Sequence, residues 1–129
     1  MKAQKHIATV PESGVVVELE GNLTRLYFDF SDVEARNDEE EVPADLKDCQ
    51  NVDVYGRNRG DLISAIVKDH YNDDSYQALN ANYNLAKDES SSLTPEKRAE
   101  YLAEYEAFQT WRAHAKEVAD KAVEIIGEL

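Results

Sequence analysis

The first part of the chain alternates apolar and polar side chains with a period of two. This alternation covers Val15–Leu19 and returns in Leu26–Phe30, and it is typical of strands with one buried face. Between the two runs, Gly21 and Asn22 tolerate positive φ, which a two-residue hairpin loop requires. The pattern therefore predicts a β-hairpin built from these two runs.

Two weaker strands flank this hairpin, and a loop precedes the second of them. Lys2–Thr9 and Val52–Tyr55 are predicted as short strands. Three or four strands with one apolar face need another element to cover them, because an isolated hairpin is only marginally stable. Residues 31–50 include four consecutive acids beginning at Asp38 and predict a solvated loop. That run lacks the ligand spacing and the turn glycine of a Ca²⁺ loop, so no metal is expected there. Residues 1–57 should thus form a small antiparallel sheet of three or four strands.

After this β-rich part, the apolar period lengthens to between three and four residues, which predicts helices. A first short helix is expected to have Asp61 as its cap and to end near Tyr71. A second is expected to begin from a cap at Asp74 or Ser75. Two short helices joined by a turn would form an αα-hairpin over residues 60–87.

The clearest predicted element is a long C-terminal helix over residues 94–128. Thr94 provides an N-cap, Pro95 suits the first helical position, and no glycine or proline follows until Gly127. Such a helix is about 50 Å long, whereas a compact domain of this size is about 30 to 35 Å across. Its wide apolar stripe can pack on a sheet of its own domain, or it can form a heptad seam whose end meets another subunit.

Together these elements predict one domain of the α+β class, a small antiparallel sheet followed by two short helices and one long helix. The 129 residues are 42% apolar, which is enough to supply a core. The chain has 14 basic and 27 acidic side chains, and its net charge of −13 disfavours binding to nucleic acid. No apolar run suits a membrane span or a secretory signal, so we expect synthesis in the cytoplasm without secretion.

Motifs that carry chemistry are absent from the sequence. The single cysteine, Cys49, allows neither an internal disulfide nor a cysteine-based zinc site. His6, His70 and His114 are too widely spaced for two of them to share a helical face. We therefore expect no enzymatic activity, no cofactor and no small-molecule substrate. A catalytic site assembled only in space stays an open alternative.

Aromatic side chains concentrate in the helical part of the chain, where they can join the helices to each other or face a partner protein. We expect a protein partner or self-association. The candidate interaction residues lie on the aromatic face and the C-terminal apolar stripe of the long helix: Tyr101, Tyr105, Phe108, Trp111, Arg112, Val118, Ile125, Ile126 and Leu129.

Four stretches of the chain carry a resemblance to known proteins: Val52–Gly56, Asp61–Val67, Ala81–Tyr83 and Glu104–Lys116. They resemble small uncharacterised phage and prophage proteins encoded among virion and tail genes. The last stretch, with its Tyr-x-x-Phe-Gln-x-Trp-Arg run, is similar to the C-terminal helix of phage tail-fibre accessory proteins. The resemblance implies a non-enzymatic part in virion structure or tail assembly in a bacterial host, and it transfers no catalytic residue.

The acidity of the chain supports a different hypothesis, an acidic inhibitor or nucleic-acid mimic that binds a basic partner. Its carboxylates would include the run from Asp38 to Glu41. Such binding weakens steeply as ionic strength rises, whereas a hydrophobic assembly interface does not. The two hypotheses therefore differ in a measurable property.

Overall fold

A computed structural model describes residues 1–129 and shows an α+β fold, as predicted. A four-stranded antiparallel sheet comes first and three helices follow. The elements are β1 (Lys2–His6), β2 (Val15–Glu20), β3 (Leu23–Asp32), β4 (Leu46–Tyr55), α1 (Arg59–His70), α2 (Asp73–Lys87) and α3 (Pro95–Glu128).

The sheet has the strand order β1-β4-β3-β2, and every neighbouring pair is antiparallel. The predicted hairpin is present as β2 and β3, which pair from Val15 opposite Phe28 to Glu20 opposite Leu23. Only Gly21 in its two-residue turn has positive φ, at 58°, and glycine adopts that conformation without steric cost.

The two central strands are longer than the sequence pattern predicts. β3 continues to Asp32 and β4 already begins at Leu46, so the loop covers residues 33–45 instead of 31–50. Ser31 pairs with Asp48 in this extension, and polar side chains at both positions conceal the alternation that marks a half-buried strand. At the edge of the sheet, β1 ends at His6, before the predicted Thr9.

A β-bulge interrupts the pairing of β3 with β4 between Phe28 and Ser31. Asp29 lies in this bulge with a φ of 56°, the left-handed conformation that aspartate tolerates better than most residues. The bulge directs the Asp29 carboxylate towards α3, where it contacts the imidazole of His114.

The short helices begin earlier than predicted because asparagines cap them. Asn58 accepts a hydrogen bond from the backbone N–H of Asp61, and Asn72 accepts one from Ser75, so the caps predicted at Asp61, Asp74 and Ser75 are wrong. Asparagine is among the preferred N-cap residues for this geometry. Thr94 does cap α3, as predicted, by accepting a hydrogen bond from the backbone N–H of Lys97.

The arrangement of the helices also differs from an αα-hairpin. α1 and α2 are joined by two residues, but each packs mainly on α3 and scarcely on the other. α1 packs on β4, and α3 packs on β2. The long apolar stripe is therefore used within the chain, and its C-terminal end packs on the chain's own core through Ile125 and Ile126.

Two regions of different packing result, and both include α3. We call the sheet, α1 and residues 111–128 of α3 the sheet half, which contains a core cluster of 11 buried residues. We call α2 and residues 95–108 of α3 the helix pair, whose buried residues are Leu79, Ala86 and Phe108.

None of the three helices combines the length and apolarity needed to cross a membrane.

Candidate functional site

A cleft of about 440 Å³ lies where the two regions meet, between the end of α1, the start of α2 and the middle of α3. We call it the three-helix cleft. The side chains that give it its character are four aromatic residues and two cations: Tyr71, Tyr76, Tyr105, Phe108, Lys68 and Arg112.

The α1 wall of the cleft follows from helical spacing and from the way the helix ends. Ser64 and Lys68 are four residues apart and so lie on one face of α1. The backbone N–H of Tyr71 donates to Val67 at 2.9 Å, and Asn72 then caps α2. Because this connection is so short, Tyr71 at its start and Tyr76 in α2 both reach the same cleft.

The α3 wall carries residues three and four positions apart, Tyr105, Phe108, Gln109 and Arg112. Gln109 donates from Nε2 to the hydroxyl oxygen of Tyr105 at 2.9 Å, which fixes both side chains along the helix. Tyr105 is also stacked on Tyr83 of α2, with ring centroids 3.7 Å apart. The wall is thus held in place from its own helix and from α2.

Phe108 forms the floor of the cleft and three tyrosines surround it. Its ring centroid lies 4.9 Å from Tyr71 in an edge-to-face arrangement, 5.3 Å from Tyr76 and 6.0 Å from Tyr105. These separations are in the range in which aromatic rings attract each other. Phe108 is buried, but Tyr76 remains 42% exposed, so the aromatic cluster is closed below and open to solvent above.

The two cations of the cleft have no acidic partner. Neither the Lys68 ammonium nor the Arg112 guanidinium lies within 4.0 Å of a carboxylate, although the chain contains 27 acidic side chains. Other cations do form ion pairs, for example Arg59 with Asp120 at 2.6 Å. Asp73 also lines the cleft, which leaves two positive charges there against one negative charge.

Two histidines lie close to the cleft but do not line it. His70 is stacked on Trp111 with ring centroids 3.7 Å apart, and burial lowers the pKa of its imidazole. His114 is half-buried, with Nε2 2.7 Å from the Asp29 carboxylate. Trp111 itself donates from Nε1 to the carbonyl of Ile66 at 3.1 Å, which ties α3 to α1.

The predicted interaction residues are divided among different environments. Tyr105, Phe108 and Arg112 come together in the three-helix cleft. Val118 is buried in the core, and Trp111, Ile125 and Ile126 pack against it. Tyr101 is half-buried under the Lys97 ammonium, and Leu129 is 75% exposed at the end of α3.

Sequence reasoning missed the α1 side of the site, above all Lys68. The available signal was the spacing of Ser64 and Lys68, which places a hydroxyl and a cation on one polar edge of an amphipathic helix. Nothing in that spacing indicates that this edge faces Arg112, because the packing of α1 on α3 joins distant parts of the chain.

The cleft offers both apolar and polar contacts for binding. Its lining has no histidine or cysteine. Elsewhere, no group of three or more His, Cys, Asp or Glu side chains is arranged to hold a metal ion. The three-helix cleft presents an apolar aromatic floor beside two cations without ion pairs, a combination common in sites that recognise proteins.

Comparison with protein-family models, with curated proteins and with solved structures gives no match. The geometry of the three-helix cleft is therefore the structural ground for a functional proposal.

Proposed function

We propose that this chain is a non-enzymatic, phage-type structural or assembly protein that acts through protein–protein contacts at the three-helix cleft. The observation that carries the binding role is the open aromatic cluster, with Tyr76 42% exposed and with neither Lys68 nor Arg112 in an ion pair. The phage assignment has a separate support, the resemblance carried by the α3 sequence.

Tyrosine, tryptophan and arginine are enriched among the residues that dominate binding at protein interfaces. Leaving them in solvent gains the isolated chain little, because a tyrosine ring contributes most when its apolar body is covered. A partner that covers Tyr76 and Tyr105 would remove that apolar area from water and leave the hydroxyl groups at the wet rim.

The proposal is tested by photo-crosslinking from inside the cleft. The photoreactive residue p-benzoylphenylalanine replaces Tyr76, and in a matched control it replaces Tyr55, which is 84% exposed at the end of β4. Both variants are irradiated in lysate of the bacterial host during phage production. We expect a discrete adduct with a virion or tail protein from position 76 alone. Equal adducts from both positions, or none, would contradict the proposal.

A second candidate function is the acidic inhibitor or nucleic-acid mimic. It is favoured by one observation, the exposure of all four carboxylates from Asp38 to Glu41 in the loop between β3 and β4. A basic partner should then crosslink from position 39 and not from position 76, and raising the salt concentration should abolish that adduct. The same experiment thereby separates the two candidates.

A further inference from the structure

We propose that the three-helix cleft binds an acidic segment of its partner that carries one aromatic side chain. The aromatic ring would enter between Tyr76 and Tyr105, and flanking carboxylates would meet Lys68 and Arg112. This inference rests on the proposed function and specifies the chemistry of the partner.

The aromatic part of the occupant follows from the floor and walls of the cleft. Phe108 lies at the bottom with tyrosine rings 5.3 and 6.0 Å away, so an entering ring meets both ring faces and ring edges. Aromatic pairs gain from such arrangements beyond the area they bury. A cleft of about 440 Å³ accommodates one large side chain and part of its backbone.

The acidic side chains of the occupant are inferred from the two cations of the cleft, Lys68 and Arg112. A neutral occupant would cover the Lys68 ammonium and the Arg112 guanidinium without giving their donors an acceptor, which costs free energy. A carboxylate supplies that acceptor, and the planar fork of arginine matches it with two parallel hydrogen bonds. A basic occupant would instead meet two like charges at the cleft itself.

The charge of the whole chain also bears on this choice, because a net charge of −13 repels an acidic segment overall. Asp73, on the rim formed by α2, repels a carboxylate as well and leaves only the Lys68 and Arg112 side favourable. An acidic ligand therefore needs a local cationic site such as this cleft, whereas a basic ligand would be attracted to many surfaces and would not depend on Arg112.

The test uses fluorescein-labelled peptides with the whole chain and measures anisotropy at physiological salt. The probe has a central phenylalanine flanked by glutamates; one control peptide has alanine at the centre and another has lysines in place of the glutamates. We expect the probe to bind more tightly than the alanine control. Its resonance shifts in the isotope-labelled chain should be confined to the cleft.

Variants of the chain then distinguish a local site from bulk charge. Arg112→Glu and Lys68→Glu should each weaken binding of the probe by about tenfold, the loss of one charged hydrogen bond. Lys121→Glu makes the same charge change at an exposed position of α3 outside the cleft and should change the affinity by less than about twofold. Circular dichroism checks that each variant is folded.

Three results would overturn the inference. The first is no binding of the probe, and the second is equal weakening of its binding by Arg112→Glu and Lys121→Glu. The third is that the lysine peptide binds more tightly than the probe, with an affinity that Arg112→Glu does not change. If the probe fails while position 76 still crosslinks to a virion protein, the proposed function stands and only the acidic occupant is wrong. If the probe binds but no such adduct forms, the ligand chemistry stands without the assembly role.

Discussion

The sheet half and the helix pair share one helix but use it in opposite ways. In the sheet half, α3 presents Ala115, Ala119 and Ala122, all fully buried, and these small side chains let it approach the core closely. In the helix pair, the same helix presents large rings that are only partly covered, such as Tyr105. The difference shows that one amphipathic stripe can be closely packed along one part and only partly covered along another.

The largest expected difference between the regions concerns deletion of a buried leucine. Leu62 is fully buried in the sheet half, whereas Leu79 in the helix pair is 8% exposed. Leu62→Ala should cost about 3 to 4 kcal/mol of unfolding free energy, and Leu79→Ala about 2 kcal/mol because solvent and neighbouring rings can fill its site. Urea denaturation followed by circular dichroism measures both. Equal costs would mean that the two regions are packed alike.

The next effect concerns the end of α2, which Arg98 holds against α3. Its guanidinium donates to the carbonyls of Ala86 and Asp88 and to the Ser91 hydroxyl. Arg98→Met should cost about 1 to 2 kcal/mol and should mainly loosen α2, since these are charge-assisted hydrogen bonds.

Hydrogen exchange resolves where that loss occurs. Amides of α2 should exchange faster in the Arg98→Met variant, while amides of β3 and β4 keep their protection. Arg112→Met, on the same helix but without hydrogen-bond partners in the chain, is the matched control and should leave both regions unchanged. An equal loss of protection in the sheet would show that the helix pair does not open separately.

A smaller effect compares two aromatic stacks of equal geometry, one within each region. Tyr83 on Tyr105 and His70 on Trp111 both have ring centroids 3.7 Å apart and planes inclined by 8°. A double-mutant cycle for Tyr83→Ala and Tyr105→Ala should give a coupling of about 1 kcal/mol. The same cycle on the His70 stack should give more at pH 8, because Trp111 is anchored to Ile66. A larger coupling energy for the Tyr83–Tyr105 stack than for the His70–Trp111 stack would contradict the view that the sheet half is the more tightly held region.

The smallest expected effect is a dependence of stability on pH at the junction. Burial lowers the pKa of His70 below its ordinary value of 6.5, and the nearby Asp69 only partly opposes this. The unfolded chain therefore binds this proton more readily, so stability from His70 is present above pH 6.5 and is lost as pH falls through the folded pKa. His70→Gln should flatten the fall in melting temperature between pH 7.5 and pH 5.

Trp111 is the only tryptophan and reports the same titration by its fluorescence. Its emission should change as His70 gains a proton, with a midpoint below pH 6.5 in the native chain and no such midpoint in the His70→Gln variant. His114→Gln serves as the control for the second imidazole near the indole, 5.7 Å away. A midpoint that survives in His70→Gln and vanishes in His114→Gln would contradict the assignment of the fluorescence change to His70.

The sequence by itself determined the features that depend on near neighbours. Alternation in Val15–Leu19 and the turn at Gly21 specify the hairpin, and Thr94 with Pro95 specifies the start of α3. These signals are reliable because strand period, turn conformation and helix caps are properties of a few consecutive residues. The α+β class follows from their order along the chain.

Only the tertiary structure decided which residues share the candidate site. Tyr105, Phe108 and Arg112 lie on one helical face, so their proximity was predictable, but Lys68 joins them through the packing of α1 on α3. Tertiary contacts also decided that Val118 is buried while Tyr76 stays exposed. The reason is physical: an apolar side chain has the same local pattern whether its partner is the chain's own sheet or another protein, and only long-range packing selects between them.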